Sequence, residues 1–281
     1  MPNDRLGIDL PAAWVYSRGY DFLAGDSSMR TLIAIPIYNE QDHVQSVLEK
    51  VRGYSSNILV LDDGSTDRTP EILNELREPM GLDIIRHETN IGYGRAIREA
   101  YRRAHRDGYD WVITMDCDYQ HEPERLPDFF KAIERDDLDI ISGSRYLKSG
   151  NGWDADLPPA DRRAINATIT KEINDRLGLQ LTDGFCGFKA HRVDAINKLN
   201  LTDDGYAFPM QFWVQAIANG LRIDEIPVEL IYNDLHRTFG GGLDDPETRL
   251  THYRCVMYRA MDQVIDRLPD MAKAQTLADC S

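Results

Sequence analysis

Residues 31–65 read TLIAIPIYNEQDHVQSVLEKVRGYSSNILVLDDGS. The run Thr31–Ile37 is short, apolar and rich in β-branched residues, the composition of a buried strand. Asn39 is placed to cap a segment with Val44, Val47, Leu48 and Val51 at helical spacing, and Asn57–Leu61 is a second buried strand. A strand, a helix and a strand in such short succession are one unit of a parallel sheet.

The alternation continues outward. Thr69-Pro70 opens a second helix with a cap and a proline in its first turn, directing Ile72, Leu73 and Leu76 inward. Leu82–Arg86 reads as a third strand, and Ala96, Ile97, Ala100, Tyr101 and Ala104 mark the helix after it. Asp110–Met115 is a fourth strand, Leu126, Phe129, Phe130 and Ile133 belong to a helix, and Leu138–Ser142 is a fifth strand. The predicted class is α/β, with a mostly parallel central sheet and helices on both faces. The second half is less regular. Tyr146–Arg162 reads as a mobile loop, and Ile165, Ile169, Ile173 and Leu177 share one helix face. Gly184–Ala190 and Leu221–Leu230 are predicted strands around a helix from Pro209 to Asn219, and Thr238–Asp245 is a glycine-rich loop. These boundaries give an N-terminal extension over 1–30 containing Trp14, Tyr16, Tyr20 and Phe22, one domain over 31–245, and a C-terminal helical segment over 246–281.

Composition narrows the partners. With 32 Lys+Arg against 47 Asp+Glu, the net charge of −15 argues against nucleic acid and anionic membranes unless a local basic patch overrides it. The 42% apolar content is enough for a full core. No stretch approaches the roughly 18 apolar residues of a membrane span, and Met1–Leu10 lacks a signal pattern. A cytoplasmic location without a transmembrane segment is expected, with room for peripheral contact at the inner face of a membrane. Cys117, Cys186, Cys255 and Cys280 form no Cys-x-x-Cys pair, so free buried thiols are expected.

In a parallel sheet, ligands bind beyond the carboxyl ends of the strands. The polar residues collect there: Tyr38-Asn39-Glu40, Asp62-Asp63-Gly64-Ser65, Asn90-Ile91-Gly92-Tyr93-Gly94 and Asp116-Cys117-Asp118. Any one of these alone is an ordinary turn or a solvated acidic loop. In this order, followed by Tyr119-Gln120-His121-Glu122-Pro123-Glu124 and Gly143-Ser144-Arg145-Tyr146, they resemble family 2 glycosyltransferases of the GT-A fold, and within them the dolichyl- or polyprenyl-phosphate mannose or glucose synthase branch. The resemblance spans about Thr31 to Leu243.

That resemblance implies an inverting sugar transferase with a nucleotide-diphospho-sugar donor. Asp116 and Asp118 would share Mg2+ or Mn2+, with a carbonyl oxygen from Gln120, because a hard divalent ion takes oxygen ligands and stabilises a departing diphosphate. Pro36, Tyr38, Glu40 and one of Asp62 or Asp63 would surround base and ribose. Asn90, Gly92 and Gly94 would let backbone approach the ligand, and Arg95, where a helix begins, is a phosphate candidate. Arg145 is an acceptor-phosphate candidate, and Arg237, in His236-Arg237-x-x-Gly240, a diphosphate candidate. Asp183-Gly184-Phe185-Cys186-Gly187-Phe188-Lys189 falls on the acceptor side, where Cys186 and Lys189 depart from the Ser and Arg of the branch. Gln211 stands where a carboxylate is expected and cannot take a proton, leaving Asp183, Asp203 or Asp204 as bases, or none. A phosphate acceptor needs no base, since it is already largely ionised at pH 7. His121 is retained near the metal or acceptor; His43, His87, His105, His191 and His252 read as surface or core side chains. The expected acceptor is polyprenyl phosphate; a soluble acceptor, or nucleotide-sugar binding without transfer, stays open.

Overall fold

The computed structural model describes residues 29–117, 122–147, 159–229 and 241–273. In chain order these form β1 (Thr31–Ile37), α1 (Val44–Arg52), β2 (Ile58–Asp62), α2 (Thr69–Met80), β3 (Asp83–Arg86), α3 (Tyr93–Arg106), β4 (Trp111–Thr114), α4 (Leu126–Glu134), β5 (Ile140–Ser144), α5 (Ala160–Leu177), β6 (Lys189–Arg192), α6 (Val193–Ile196), α7 (Phe208–Ala218), β7 (Ile223–Pro227) and α8 (Pro246–Gln263). The strands make one sheet in the order β3-β2-β1-β4-β6-β5-β7. Among the described strands, β6 alone runs against its neighbours, β4 and β5; the other pairs are parallel.

Period-two alternation sends the strand side chains into two cores. In β1, Leu32 and Ala34 join one cluster with α3, α5, α7 and α8, while Ile33, Ile35 and Ile37 join another with α1 and α4. Both faces being covered, all five residues of β2 are buried. Along α5, Ile165, Ile169, Ile173 and Leu177 lie on the core side as their spacing predicts. Tyr253, Met257 and Met261 of α8 enter the same core as Phe212 and Trp213 of α7. Asp245 caps α8, its carboxylate accepting from Thr248 N at 2.8 Å.

Three local expectations are corrected. Asn39 does not cap α1: it sits at φ +57°, and its Oδ1 accepts from Thr66 N at 2.8 Å, across the sheet edge. Thr69 likewise gives no side-chain cap to α2; its Oγ1 accepts from Glu40 N at 2.9 Å. Residues 184–187 are irregular, and β6 starts only at Lys189, because Gly184 N donates to Thr170 Oγ1 and Trp213 Nε1 donates to Gly184 O instead of a strand neighbour. Cys117 and Cys186 are buried free thiols, whereas Cys255 is disulfide-bonded. No helix among the described residues is long and apolar enough to cross a membrane.

Candidate active site

Because β1 to β4 are parallel, their carboxyl ends share one edge, and Lys189 at the start of antiparallel β6 pairs with Thr114 there. The turns after β1 and β2 are sewn together. Ser65 Oγ accepts from Asn39 N at 2.9 Å, Asp67 Oδ2 from Gln41 N at 3.1 Å, and Asn39 Oδ1 from Thr66 N. This leaves Tyr38 at the rim, 43% exposed, with Pro36 and Glu40 half-buried beside it. Asp62 Oδ1 accepts from Ser65 N at 2.9 Å. Its buried Oδ2 has no aligned hydrogen bond, although Arg86 Nε lies 3.2 Å away.

Asp63 ties in the third turn. Its carboxylate accepts from Ile91 N at 3.0 Å and Gly92 N at 2.9 Å, and meets the His87 ring at 2.8 Å. These bonds neutralise N–H groups at the start of α3 that the helix itself cannot satisfy. Gly64 is needed below: a Cβ there would lie 2.3 Å from the Thr89 backbone.

Gly92 and Gly94 allow a close approach of another stretch of the protein's own backbone. A Cβ on Gly92, at φ +104°, would stand 2.2 Å from Asp204 O, and one on Gly94 would stand 2.4 Å from Asp203 O. The Asp203–Gly205 segment is thus docked on α3, with Arg95 N donating to Asp204 O and Arg98 paired to the Asp204 carboxylate. Arg95 and Asn90 are exposed at this end of the site. Gly92→Ala combines a strained φ with a backbone collision and is expected to cost about 1–3 kcal/mol, read from urea unfolding.

Gln211 explains its own departure from the family pattern. The side chain is buried, its Oε1 accepts from Thr202 N at 2.7 Å and Asp203 N at 2.9 Å, and its Nε2 donates to Thr202 Oγ1. It clasps the loop that packs on Gly92 and Gly94, so its amide is already committed to that loop. Asp203 is half-buried, which lifts its carboxyl above the usual range, with partial opposition from the Gly205 N–H it accepts.

Asp116 follows β4, half-buried. Its carboxylate lies over Gly187, where a Cβ would come within 2.6 Å of Oδ2 and 3.0 Å of Oδ1. Glycine here lets the carboxylate pack on the backbone, and a carboxylate is the kind of oxygen donor that a hard cation would take. Asp118 and Gln120, nominated as its co-ligands, lie outside the described residues, as do His121 and Arg237. Among the described residues, no three His, Cys, Asp or Glu side chains group to hold a metal. Beside Gly187 a cavity of about 20 Å³, room for one water, is bordered by Lys189, Thr114, His191 and Tyr101. Lys189 is buried, with its ammonium over the Trp213 ring; burial lowers its pKa against the pull of nearby acidic groups, Asp183 among them.

Arg145, after β5, grips Asp183. Nε donates to Oδ2 at 2.6 Å and Nη2 to Oδ1 at 3.0 Å, a two-point pair. Asn166 Nδ2 and Phe185 N also donate to Asp183. Burial alone would raise the Asp183 carboxyl, but Arg145 and these donors hold it well below the usual range. Asp183 is therefore no general base. Burial pushes the Cys186 thiol up to about 11, so it is no nucleophile either.

The site also contains two residues that spacing alone did not nominate, His87 and Glu99, whose Oε2 meets His87 Nε2 at 2.6 Å. The available signal was position: His87 directly follows a parallel strand, at the edge where ligands bind.

Known proteins agree with this architecture. The chain is 31% identical over 76% of its length to undecaprenyl-phosphate mannosyltransferase of Micrococcus luteus, covering 89% of that protein. It is 29% identical over 81% of its length to polyprenol monophosphomannose synthase of Mycolicibacterium smegmatis, covering 87% of it. Among solved structures, glucosyl-3-phosphoglycerate synthase from Mycobacterium tuberculosis bound to UDP superposes with a TM-score of 0.59 at 16% identity, over 86% of this chain and 82% of that one. The Glycosyl transferase family 2 pattern matches residues 32–199. The chain belongs to glycosyl transferase family 2, and is a glycosyltransferase with the GT-A fold.

Proposed function

We propose that the protein transfers a hexose, mannose from GDP-mannose or glucose from UDP-glucose, to polyprenyl phosphate. The observation that carries this reading is the gathering of the Tyr38–Glu40, Asp62–Ser65 and Asn90–Gly92 turns with Asp116 on one sheet edge. The two bacterial relatives are named for transfer to, or synthesis on, polyprenyl phosphates, which supports the acceptor. A solved GT-A structure of the same fold holds Mn2+ with UDP-glucose, which supports a divalent ion.

In this account Pro36, Tyr38 and Glu40 hold the nucleoside together with Asp62, whose Oδ2 keeps acceptor capacity for a ribose or base donor. Asp63 acts through the turn it anchors. Asp116, with Asp118 and Gln120, would hold Mg2+ or Mn2+, which supplies Lewis-acid stabilisation to a departing diphosphate. Arg95 and Arg237 add charge on the phosphate side. Arg145 presents to the acceptor phosphate the guanidinium edge that Asp183 leaves open, and Asp183 fixes its direction. An acceptor phosphate oxygen attacks the anomeric carbon as the bond to the diphosphate breaks, inverting the configuration. No base is required, because the attacking phosphate is ionised near neutrality, consistent with Gln211 serving a loop.

The test is incubation with radiolabelled GDP-mannose or UDP-glucose, Mn2+, and either polyprenyl phosphate or soluble acceptors. Label entering the organic phase only with polyprenyl phosphate is the expected result. Label entering a soluble acceptor, or donor bound without transfer, would replace this reading with the alternatives.

A further inference from the structure

His87 lies between two carboxylates. Its Nδ1 is 2.8 Å from Asp63 Oδ1, and its Nε2 is 2.6 Å from Glu99 Oε2. The ring is nearly enclosed, with a side-chain exposure of 12%, and Asp63 is more enclosed still at 6%, whereas Glu99 reaches solvent at 33%. A carboxylate only accepts, and a neutral imidazole has one N–H to give; only the imidazolium donates to both. Three elements are joined by this one ring: the turn after β2 through Asp63, the end of β3 through the His87 backbone, whose N–H donates to Asp62 O, and α3 through Glu99. Beyond Asp63 the chain of contacts ends on Ile91 N and Gly92 N, the backbone that opens α3 in the candidate nucleotide site.

Among the described residues, the charged groups within hydrogen-bond reach of the ring are these two carboxylates. Arg86, the preceding residue, turns to Asp62 instead, and Glu88, the next, is exposed. Burial by itself pushes the imidazole down, but the hydrogen bonds and charges of Asp63 and Glu99 outweigh it and raise its pKa above the ordinary value. The sign follows: the stabilisation is complete below the unfolded-state pKa and is lost as pH rises through the raised folded value.

We propose that His87 is a positioning residue for the nucleotide pocket: as an imidazolium bridging Asp63 and Glu99 it fixes the Ile91–Gly92 backbone, and donor binding weakens when the ring loses its second proton or its Glu99 partner. This rests on the nucleotide-sugar reading of these turns. Glu99 is joined to the Asp63 turn by its hydrogen bond to the ring, and that bond is the route by which it acts on Ile91 and Gly92.

The experiment combines two readouts across a pH series that starts below the ordinary histidine value of about 6.5 and climbs until the ring has titrated. The first is NMR of the His87 ring and of the Ile91 and Gly92 amides in the free protein. The second is calorimetric binding of GDP and UDP with Mn2+. In the wild type, both amides should shift with the midpoint of the ring, and nucleotide affinity should fall by roughly fivefold to tenfold through that midpoint, the loss of about one charge-assisted bond. In Glu99→Gln the midpoint should move to lower pH in both readouts, and in His87→Gln the affinity step should vanish. A nucleotide diphosphate itself titrates near about pH 6, so the difference between wild type and Glu99→Gln is the quantity compared. Amides that stay flat while the ring titrates, or a Glu99→Gln affinity profile that superposes on the wild type, would overturn the proposal. If neither GDP nor UDP binds the wild type at any pH, the donor reading fails, and the amide titration alone upholds or overturns the coupling.

Discussion

Asp116→Asn should lower turnover by about 10²- to 10³-fold, the scale of removing one pre-placed group that stabilises transition-state charge. Asn keeps the shape of Asp and so keeps the contact with Gly187, where there is no spare room: a Cβ on that glycine would already lie 2.6 Å from Oδ2. It removes only the negative charge. Folding should consequently change by less than about 1 kcal/mol, and steady-state kinetics paired with thermal unfolding separates the two effects. Supplementing with excess Mn2+ should recover little, because an amide oxygen is a weaker ligand than a carboxylate. Activity that falls only in step with stability would make Asp116 a packing residue.

The largest effect on stability is expected at Asp183. It accepts from Arg145 twice through the guanidinium and once through the backbone N–H, and from Asn166 and Phe185. Asp183→Ala strands a guanidinium with only 15% side-chain exposure and leaves several donors unanswered. The expected cost is about 3–5 kcal/mol, measured by urea unfolding. Asp183→Asn retains one acceptor oxygen and should cost less. Since the folded carboxyl is held below its ordinary value, its contribution is present above the unfolded pKa of about 3.9 and fades as pH falls below that value. Acid unfolding should accordingly shift to higher pH in Asp183→Asn. Replacing both partners with apolar residues of matching size should restore much of the stability while abolishing transfer, since Arg145 is the proposed acceptor-phosphate ligand.

How far the sequence was legible depended on the range of the interactions involved. Strand β1 falls on Thr31–Ile37 as read, and α5 buries the face that its isoleucines mark, because period and burial are local properties. Asn39 has a residue type suited to a helix cap, but its side chain found backbone donors 27 and 28 positions away, at Thr66 and Asp67. Gly92 and Gly94 were legible as sites of close approach, yet the approaching group is the Asp203–Asp204 backbone, more than a hundred residues on. His87 shows the same limit from the other side: its meaning lies in Asp63 and Glu99, which only the packing of α3 against the sheet brings to opposite edges of the ring. The four turns could be placed along one edge from the alternation of strands and helices alone, whereas the pairings among their side chains could not.

In the proposed reaction Asp116 and Asp118 would hold the cation that accompanies a nucleoside diphosphate in the cleft formed by the earlier turns. Crystals grown with Mn2+ and GDP or UDP, measured for the anomalous signal of manganese, test it most directly. One strong peak is expected, about 2.0–2.4 Å from a carboxylate oxygen of Asp116 or Asp118 and from diphosphate oxygens, with the base beside Tyr38 and Glu40. Manganese bound away from both aspartates, or a nucleotide seated outside the turns after β1, β2 and β3, would contradict it.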